Sequence, residues 1–400
     1  MTDFERDYEN FIRAEISRRR LLRRGAAGAL SVSALSYLAA CGSETGGGGG
    51  DSEPSEQQAI KKGKVGDSLY MANWTLYIEE DRGTLKEFEQ EYGAKVKYVE
   101  EINDNTEFFG KVRQQYERGD SGGRDIHVVT DWMAARMINL GYVQKLDKSE
   151  LPNVNKNLID RLKSPPFDRK REFSVPWQSG TTGIIYRKDL VKRVPKSVDD
   201  LFDPEYKGKV TMLTEMRDTV GVVAASMGAD PEKASVDEFM QAIEKLDGAA
   251  KSGQIRSFTG NDYIKDLPSG DSVLAIGWSG DSVQLQADNP NIRFVAPETG
   301  VHLWTDNMQV PVGAPEAFTA QKFMDFVYRP EVQADIAEYV NYICPVLGVK
   351  EILTKRDPAL GNNQLIFPDE ETLSNAFIFR DLKPEEDQQL TEEFQRVIGA

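Results

Sequence analysis

Between residues 67 and 141, short β-branched and aromatic runs alternate with amphipathic stretches, which confines the chain to an α/β architecture with a largely parallel sheet. Strands are predicted over 68–72, 95–99 and 124–129. Between the first two, Leu85, Phe88 and Tyr92 fall on one helical face and Gly93 supplies a stop. Between the second pair, Phe109, Val112 and Tyr116 repeat that spacing and Gly119 ends the run. A third helix over 133–140 closes at Gly141. Further strands are predicted over 182–186, 209–213, 273–278, 292–296 and 308–311, with helices over 236–246 and 318–328. Four hundred residues, 40% of them hydrophobic and 28% charged, bury enough apolar surface for two lobes.

In open α/β sheets a ligand sits beyond the carboxyl ends of the strands. The first strand runs into Asn73-Trp74-Thr75-Leu76-Tyr77 and the third into Thr130-Asp131-Trp132, which aims two tryptophans at one crevice. A ring at either place serves equally well as a cap on the core. Charge adds a weak bias towards a cationic ligand and away from nucleic acid. The formal net charge is −16, and residues 1–40 hold seven Arg against five acids, so their loss leaves about −18. Acidity alone also serves solubility. Zinc or transition-metal binding has little ligand supply, because the histidines are His127 and His302 and the cysteines Cys41 and Cys344. The sequence has no EF-hand loop, Walker loop, dinucleotide fingerprint or Gly-x-Ser-x-Gly elbow. It therefore points away from an enzyme, a metal site and a cofactor, and Cys344 reads as a small buried residue.

The first forty residues read as an export address. Ser17-Arg18-Arg19-Arg20-Leu21-Leu22-Arg23 precedes an uncharged run from Gly25 to Ala40, the outline of a twin-arginine leader. That run is shorter than the roughly 20 apolar residues a membrane span needs, so it reads as a signal core rather than an anchor. It ends Leu38-Ala39-Ala40-Cys41-Gly42, which looks like a bacterial lipobox. The likeness implies a diacylglyceryl group on Cys41 and a mature chain beginning there. An ordinary signal peptide with a chance cysteine is the alternative. Residues 41–65, with five consecutive glycines from Gly46 to Gly50, then form a flexible tether poor in apolar residues.

Several landmarks in order resemble one family, the periplasmic spermidine/putrescine-binding proteins of ABC transporters, from about Leu69 to Arg380. They are Asn73 to Ile78, Asp125 to Met137, Leu146-Asp147-Lys148-Ser149 and Pro166-Phe167-Asp168. Ser174-Val175-Pro176-Trp177, Gly180-Thr181-Thr182-Gly183-Ile184, Glu205-Tyr206-Lys207-Gly208 and Trp278-Ser279-Gly280-Asp281 follow. The resemblance implies a two-lobed periplasmic-binding-protein type II fold with the ligand cleft between the lobes. It places 66–180 with 306–350 in one lobe and 181–305 with 351–400 in the other. The first crossing falls near Gly180, where a Gly-Thr-Thr-Gly run can absorb backbone rotation. By position the aromatic wall comprises Trp74, Tyr77, Trp132, Trp278, Trp304 and Tyr342. Glu215, Asp218 and Asp306 are the carboxylates, with Thr75 and Thr130 as polar contacts and Asp281 as a further candidate.

A polyamine alternates ammonium groups with methylene runs, so anions at the amine positions and flat rings between them suit it. The bland readings remain beside this one: Glu215, Asp218 and Asp281 could each cap a helix N-terminus. Two departures matter. Leu76 stands where a spermidine binder of the family has an acid, and Phe379 where it has Gln, so one ammonium anchor is expected to move to Glu79, Glu80 or Asp281. The implied partners are a polyamine, the permease subunits with their ATPase, and the membrane through lipid on Cys41. The implied state is an extracytoplasmic monomer. Another small cationic or polar solute, or a surface lipoprotein without transport, is the alternative.

Overall fold

A computed structural model describes residues 59–399; Cys41, the leader and most of the expected tether lie outside the described residues. The first half follows the predicted alternation. Strands β1 (Ser68–Trp74), β2 (Lys95–Ile102) and β3 (Ile126–Thr130) alternate with helices α1 (Gly83–Tyr92), α2 (Asn105–Tyr116) and α3 (Asp131–Asn139). β1 runs parallel to both β2 and β3. Gly93 ends α1 with a positive φ of 77°, a conformation that costs glycine least. Asp104 caps α2 by accepting from the Glu107 amide at 2.9 Å.

The second half comprises β4 (Val175–Arg187), β5 (Val210–Leu213), α4 (Met216–Ser226), α5 (Val236–Lys251), β6 (Ile255–Thr259), β7 (Leu274–Trp278) and α6 (Ser279–Asp288). Then come β8 (Ile292–Val295), β9 (Val301–Gln309), α7 (Ala317–Phe326), α8 (Pro330–Val340), α9 (Val349–Arg356), β10 (Ala376–Phe377) and α10 (Pro384–Ile398). The strands join in the order β2-β1-β3-β9-β4-β7-β5-β6, with β10 on β9 and β8 on β4. This is a two-lobed α/β fold in which the antiparallel pair β4 and β9 belongs to both lobes. β9 pairs with β3 at residues 306–309 and with β4 at 302–308, while β4 goes on to pair with β7 at 182–186.

Both central strands are much longer than the predicted 182–186 and 308–311. The Gly-Thr-Thr-Gly run and the Thr-Asp-Asn run read locally as turns, yet they lie in the sheet because each strand has a partner on either side. Gly180 sits opposite Trp304. A Cβ there would stand 2.5 Å from the indole, so close packing against the ring, rather than freedom to rotate, calls for glycine.

The chain crosses a third time after Tyr342, where Ser179 and Ile343 exchange backbone hydrogen bonds of 3.0 and 2.7 Å. Its return to the second lobe comes later than the expected residue 351. α9 still packs on α8, and Arg356 pairs with Asp335 at 2.5 Å and Glu338 at 3.1 Å. Only from β10 onward does the chain rejoin the far side, with Phe377 registered against His302 and α10 packed on α5.

Candidate ligand-binding site

The carboxyl ends of β1, β3, β5 and β7 converge on one narrow cavity. Eleven of the twelve expected side chains line it: Trp74, Thr75, Tyr77, Thr130, Glu215, Asp218, Trp278, Asp281, Trp304, Asp306 and Tyr342. Trp74 and Trp278 are the last residues of β1 and β7, and Trp304 and Asp306 lie on the central strand β9. Glu215 and Asp218 occupy the N-cap and first turn of α4, and Asp281 the first turn of α6. Glu215 makes no side-chain capping bond to its own helix, so capping does not account for it.

The rings form an unbroken series, edge-to-face except for the tilted Trp304–Tyr342 pair. Centroid distances are 5.8 Å for Trp74–Trp278, 6.4 Å for Trp278–Trp304, 5.6 Å for Trp304–Tyr342 and 5.2 Å for Tyr342–Tyr77. The indole N–H groups are turned to protein acceptors. Trp74 donates to the Val128 carbonyl and Trp304 to the Thr182 hydroxyl, both at 3.0 Å, and Trp278 reaches Asp218 at 3.4 Å. Two glycines make room for this wall, Gly180 against Trp304 and Gly280 against Tyr342.

Four carboxylates stand among these rings, three of them held by neutral donors alone. Asp306 accepts from the Tyr77 and Thr130 hydroxyls, both at 2.8 Å. Glu215 accepts from the backbone and side-chain amides of Asn105 at 2.6 and 2.8 Å. Asp281 accepts from the Tyr263 and Tyr342 hydroxyls, both at 2.6 Å, and from Asn261 at 3.1 Å. Asp218 accepts from Thr182 and meets His302 Nδ1 at 3.2 Å. Burial raises the Asp306 pKa to about 7 and lifts those of Asp281 and, well above its ordinary value, Glu215. Among the described residues, Glu215, Asp281 and Asp306 form no ion pair with lysine or arginine. Buried carboxylates of this kind favour a cation brought in from outside.

Trp132 does not join the cavity. It is the second residue of α3, so the roughly 100° turn per residue carries its side chain away from the crevice that Thr130 faces. Its ring lies under the Arg217 guanidinium, 3.9 Å from the ring centroid, in a separate groove that Phe379 also lines. Phe379 stacks on Phe239 with centroids 4.4 Å apart. Of the three candidates for the anchor absent at Leu76, Asp281 alone lines the cavity; Glu79 is buried against Thr84 and Glu80 is exposed. Leu76 adopts a positive φ of 56°, and its carbonyl accepts from Gln284 at 3.2 Å.

Sequence reasoning missed Asn105 and Asn261, which line the cavity, and Tyr263 and His302 behind it. An asparagine immediately after an Asp N-cap was the one local hint, since Asn is a poor helix former.

A fold with the central pair β4 and β9 shared by two lobes, and an aromatic and acidic cavity where they meet, defines a solute-binding protein. The chain belongs to the bacterial extracellular solute-binding proteins, whose family model matches residues 84–362. It is 29% identical over 313 residues to the spermidine/putrescine-binding periplasmic protein of Escherichia coli, covering 77% of this chain and 85% of that one. It is 31% identical over 296 residues to the putrescine-binding periplasmic protein PotF of the same organism, covering 69% of this chain and 77% of the relative. The spermidine/putrescine ABC transporter substrate-binding protein PotD of Streptococcus pneumoniae matches with a TM-score of 0.67 and 25% identity, covering 83% of this chain and 98% of that one. Among the described residues no helix is long and apolar enough to cross a membrane.

Proposed function

We propose that this protein captures a polyamine of the putrescine or spermidine kind outside the cytoplasm and delivers it to the permease of an ABC transporter. One observation carries the reading: buried carboxylates without lysine or arginine partners, set along a continuous aromatic wall. Ammonium groups supply the missing positive charge, and the methylene runs between them pack on the rings. The names of the relatives support the same ligand class. Glu215, Asp218, Asp281 and Asp306 are the anchors in this reading, and residues 66–180 with the stretch from 306 to about 367 form one closing lobe. Calorimetric titration with putrescine, spermidine and spermine tests it. Saturable one-to-one binding of at least one is expected, and no heat with any of them overturns it.

Binding should depend on pH in a definite direction. With the Asp306 pKa of the free fold raised to about 7, a proton occupies that carboxyl below neutrality and an ammonium must displace it. Raising the pH from 5.5 to 8 should therefore tighten binding by about tenfold or more. The free protein moves the other way. The Asp306 contribution to its stability is full below about pH 4, the ordinary aspartate value, and is lost as the pH rises through 7. Melting curves with and without ligand across this range should diverge as the pH increases; parallel curves would remove the proton–ammonium exchange.

The membrane tether in this reading is lipid on Cys41, followed by the Gly-rich segment. Cys41→Ser in the full chain should shift the protein from the membrane fraction to the soluble extracytoplasmic fraction. Retention of the variant in membranes would refute the lipid anchor. The chain acts as a monomer in this scheme, since one chain carries the whole cavity.

A further inference from the structure

Trp132, set outside the cavity, takes part in a second junction between the lobes. The Arg136 guanidinium lies 5.2 Å from the Trp132 ring centroid, in addition to Arg217 at 3.9 Å. Both arginines meet Asp387: Arg217 Nη2 bonds Oδ1 at 2.9 Å, and Arg136 pairs with Oδ2. The Arg217 and Asp387 side chains are only 8% and 13% exposed, so this pair is largely withdrawn from water.

The four residues come from opposite sides of the cleft. Trp132 and Arg136 stand on α3, which follows β3; Arg217 stands on α4, which follows β5; Asp387 stands on α10, which packs on α5. Arg217 also lies between Glu215 and Asp218 in the same turn of α4, so the movement that brings those carboxylates to the cavity brings the guanidinium to Trp132. Arg217 and Asp387 stand on the same side, so what spans the cleft is the Arg136–Asp387 ion pair, with side chains 25% and 13% exposed, and the Arg217 guanidinium over Trp132, and both need the lobes to meet. The lobes also touch directly where Asn105 donates to Glu215 and Thr214 donates to Asp104, so the arrangement seen is a closed one.

We infer that Trp132, Arg136, Arg217 and Asp387 form a clasp that holds the lobes together and sets how long ligand is retained, with Trp132 a positioning residue that does not touch ligand. This inference rests on the capture reading given above. A clasp that raises the population of the binding-competent form strengthens every ligand by the same factor. A ring in the ligand wall would instead discriminate between ligands.

Trp132→Leu and Trp132→Phe separate the two roles, with putrescine and spermidine titrated against each variant and release followed by stopped flow. Trp132→Leu should weaken both ligands equally, by about tenfold, through faster release, with the melting of the free protein unchanged. Trp132→Phe keeps a ring under the guanidinium and should stay within about threefold of the parent. Unchanged affinity in Trp132→Leu, or a loss confined to one ligand, overturns the clasp. Should the parent protein bind no polyamine, the capture reading fails on its own. The clasp is then judged by spin-label distances between α3 and α10, where an equal closed fraction in parent and Trp132→Leu overturns it.

Discussion

Asp306→Asn should weaken polyamine binding at pH 8 by about a hundredfold or more, while the free protein melts no lower than the parent. The expected loss follows from the surroundings of Asp306. It is 4% exposed, it has no lysine or arginine partner among the described residues, and its neighbours Tyr77 and Thr130 are neutral. Removing one member of a buried ammonium–carboxylate pair leaves the other uncompensated, at a cost of about 3 kcal/mol or more. The free protein escapes that cost because its carboxylate has no cation to lose. An amide of the same shape keeps one acceptor, and a hydroxyl facing the new NH2 group can rotate to accept from it. The variant should also lose the part of the pH dependence between 5.5 and 8 that Asp306 contributes. Calorimetry and thermal melting on the same preparation read both halves; retained affinity would move the anchor elsewhere.

Gly280→Ala should weaken binding by about tenfold or more through a single methyl group. Intrinsic helix propensity favours alanine over glycine by about 1 kcal/mol within a helix such as α6. Packing opposes it more strongly, because a Cβ at this position would stand 2.4 Å from the Tyr342 ring. The ring has little space to retreat. Its hydroxyl donates to Asp281 at 2.6 Å, and its faces and edges meet Tyr77 and Trp304. Overpacking of this kind costs about 1–3 kcal/mol in stability, so the variant should melt below the parent despite its better helix former. Displacing Tyr342 also breaks the aromatic series and frees one Asp281 oxygen, which together should cost at least tenfold in affinity. Melting above the parent with unchanged affinity would show that Tyr342 moves freely and that its position is not part of the site.

The first half of the fold was legible because its strands and helices alternate locally with helix stops in place; Gly93 and Gly141 each end a helix where the spacing predicted. The central strands were not, since what places Gly180 and Thr305 in a sheet is pairing with segments more than a hundred residues away. The late return of the chain was equally hidden, because α9 packs on α8 and the Cys344 amide donates to the Ile366 carbonyl, contacts that no local signal announces. Resemblance supplied the cavity residues by position, and the structure gathers eleven of them. It does not gather Trp132, whose placement is decided by the helical rotation of α3 and by Arg217 on another element. Asn105 and Asn261 escaped notice because polar residues beside a helix cap or a Gly-Asn-Asp turn look ordinary until a buried carboxylate is found against them.

The central claim is that the buried carboxylates exist to receive ammonium groups. A crystal structure of the protein grown with spermidine tests it most directly. The account predicts ligand nitrogens within about 3 Å of Asp306 and of at least one of Glu215, Asp218 and Asp281, with the methylene runs against Trp278 and Trp304. Spermidine bound elsewhere, with Asp306 still held only by Tyr77 and Thr130, would contradict it.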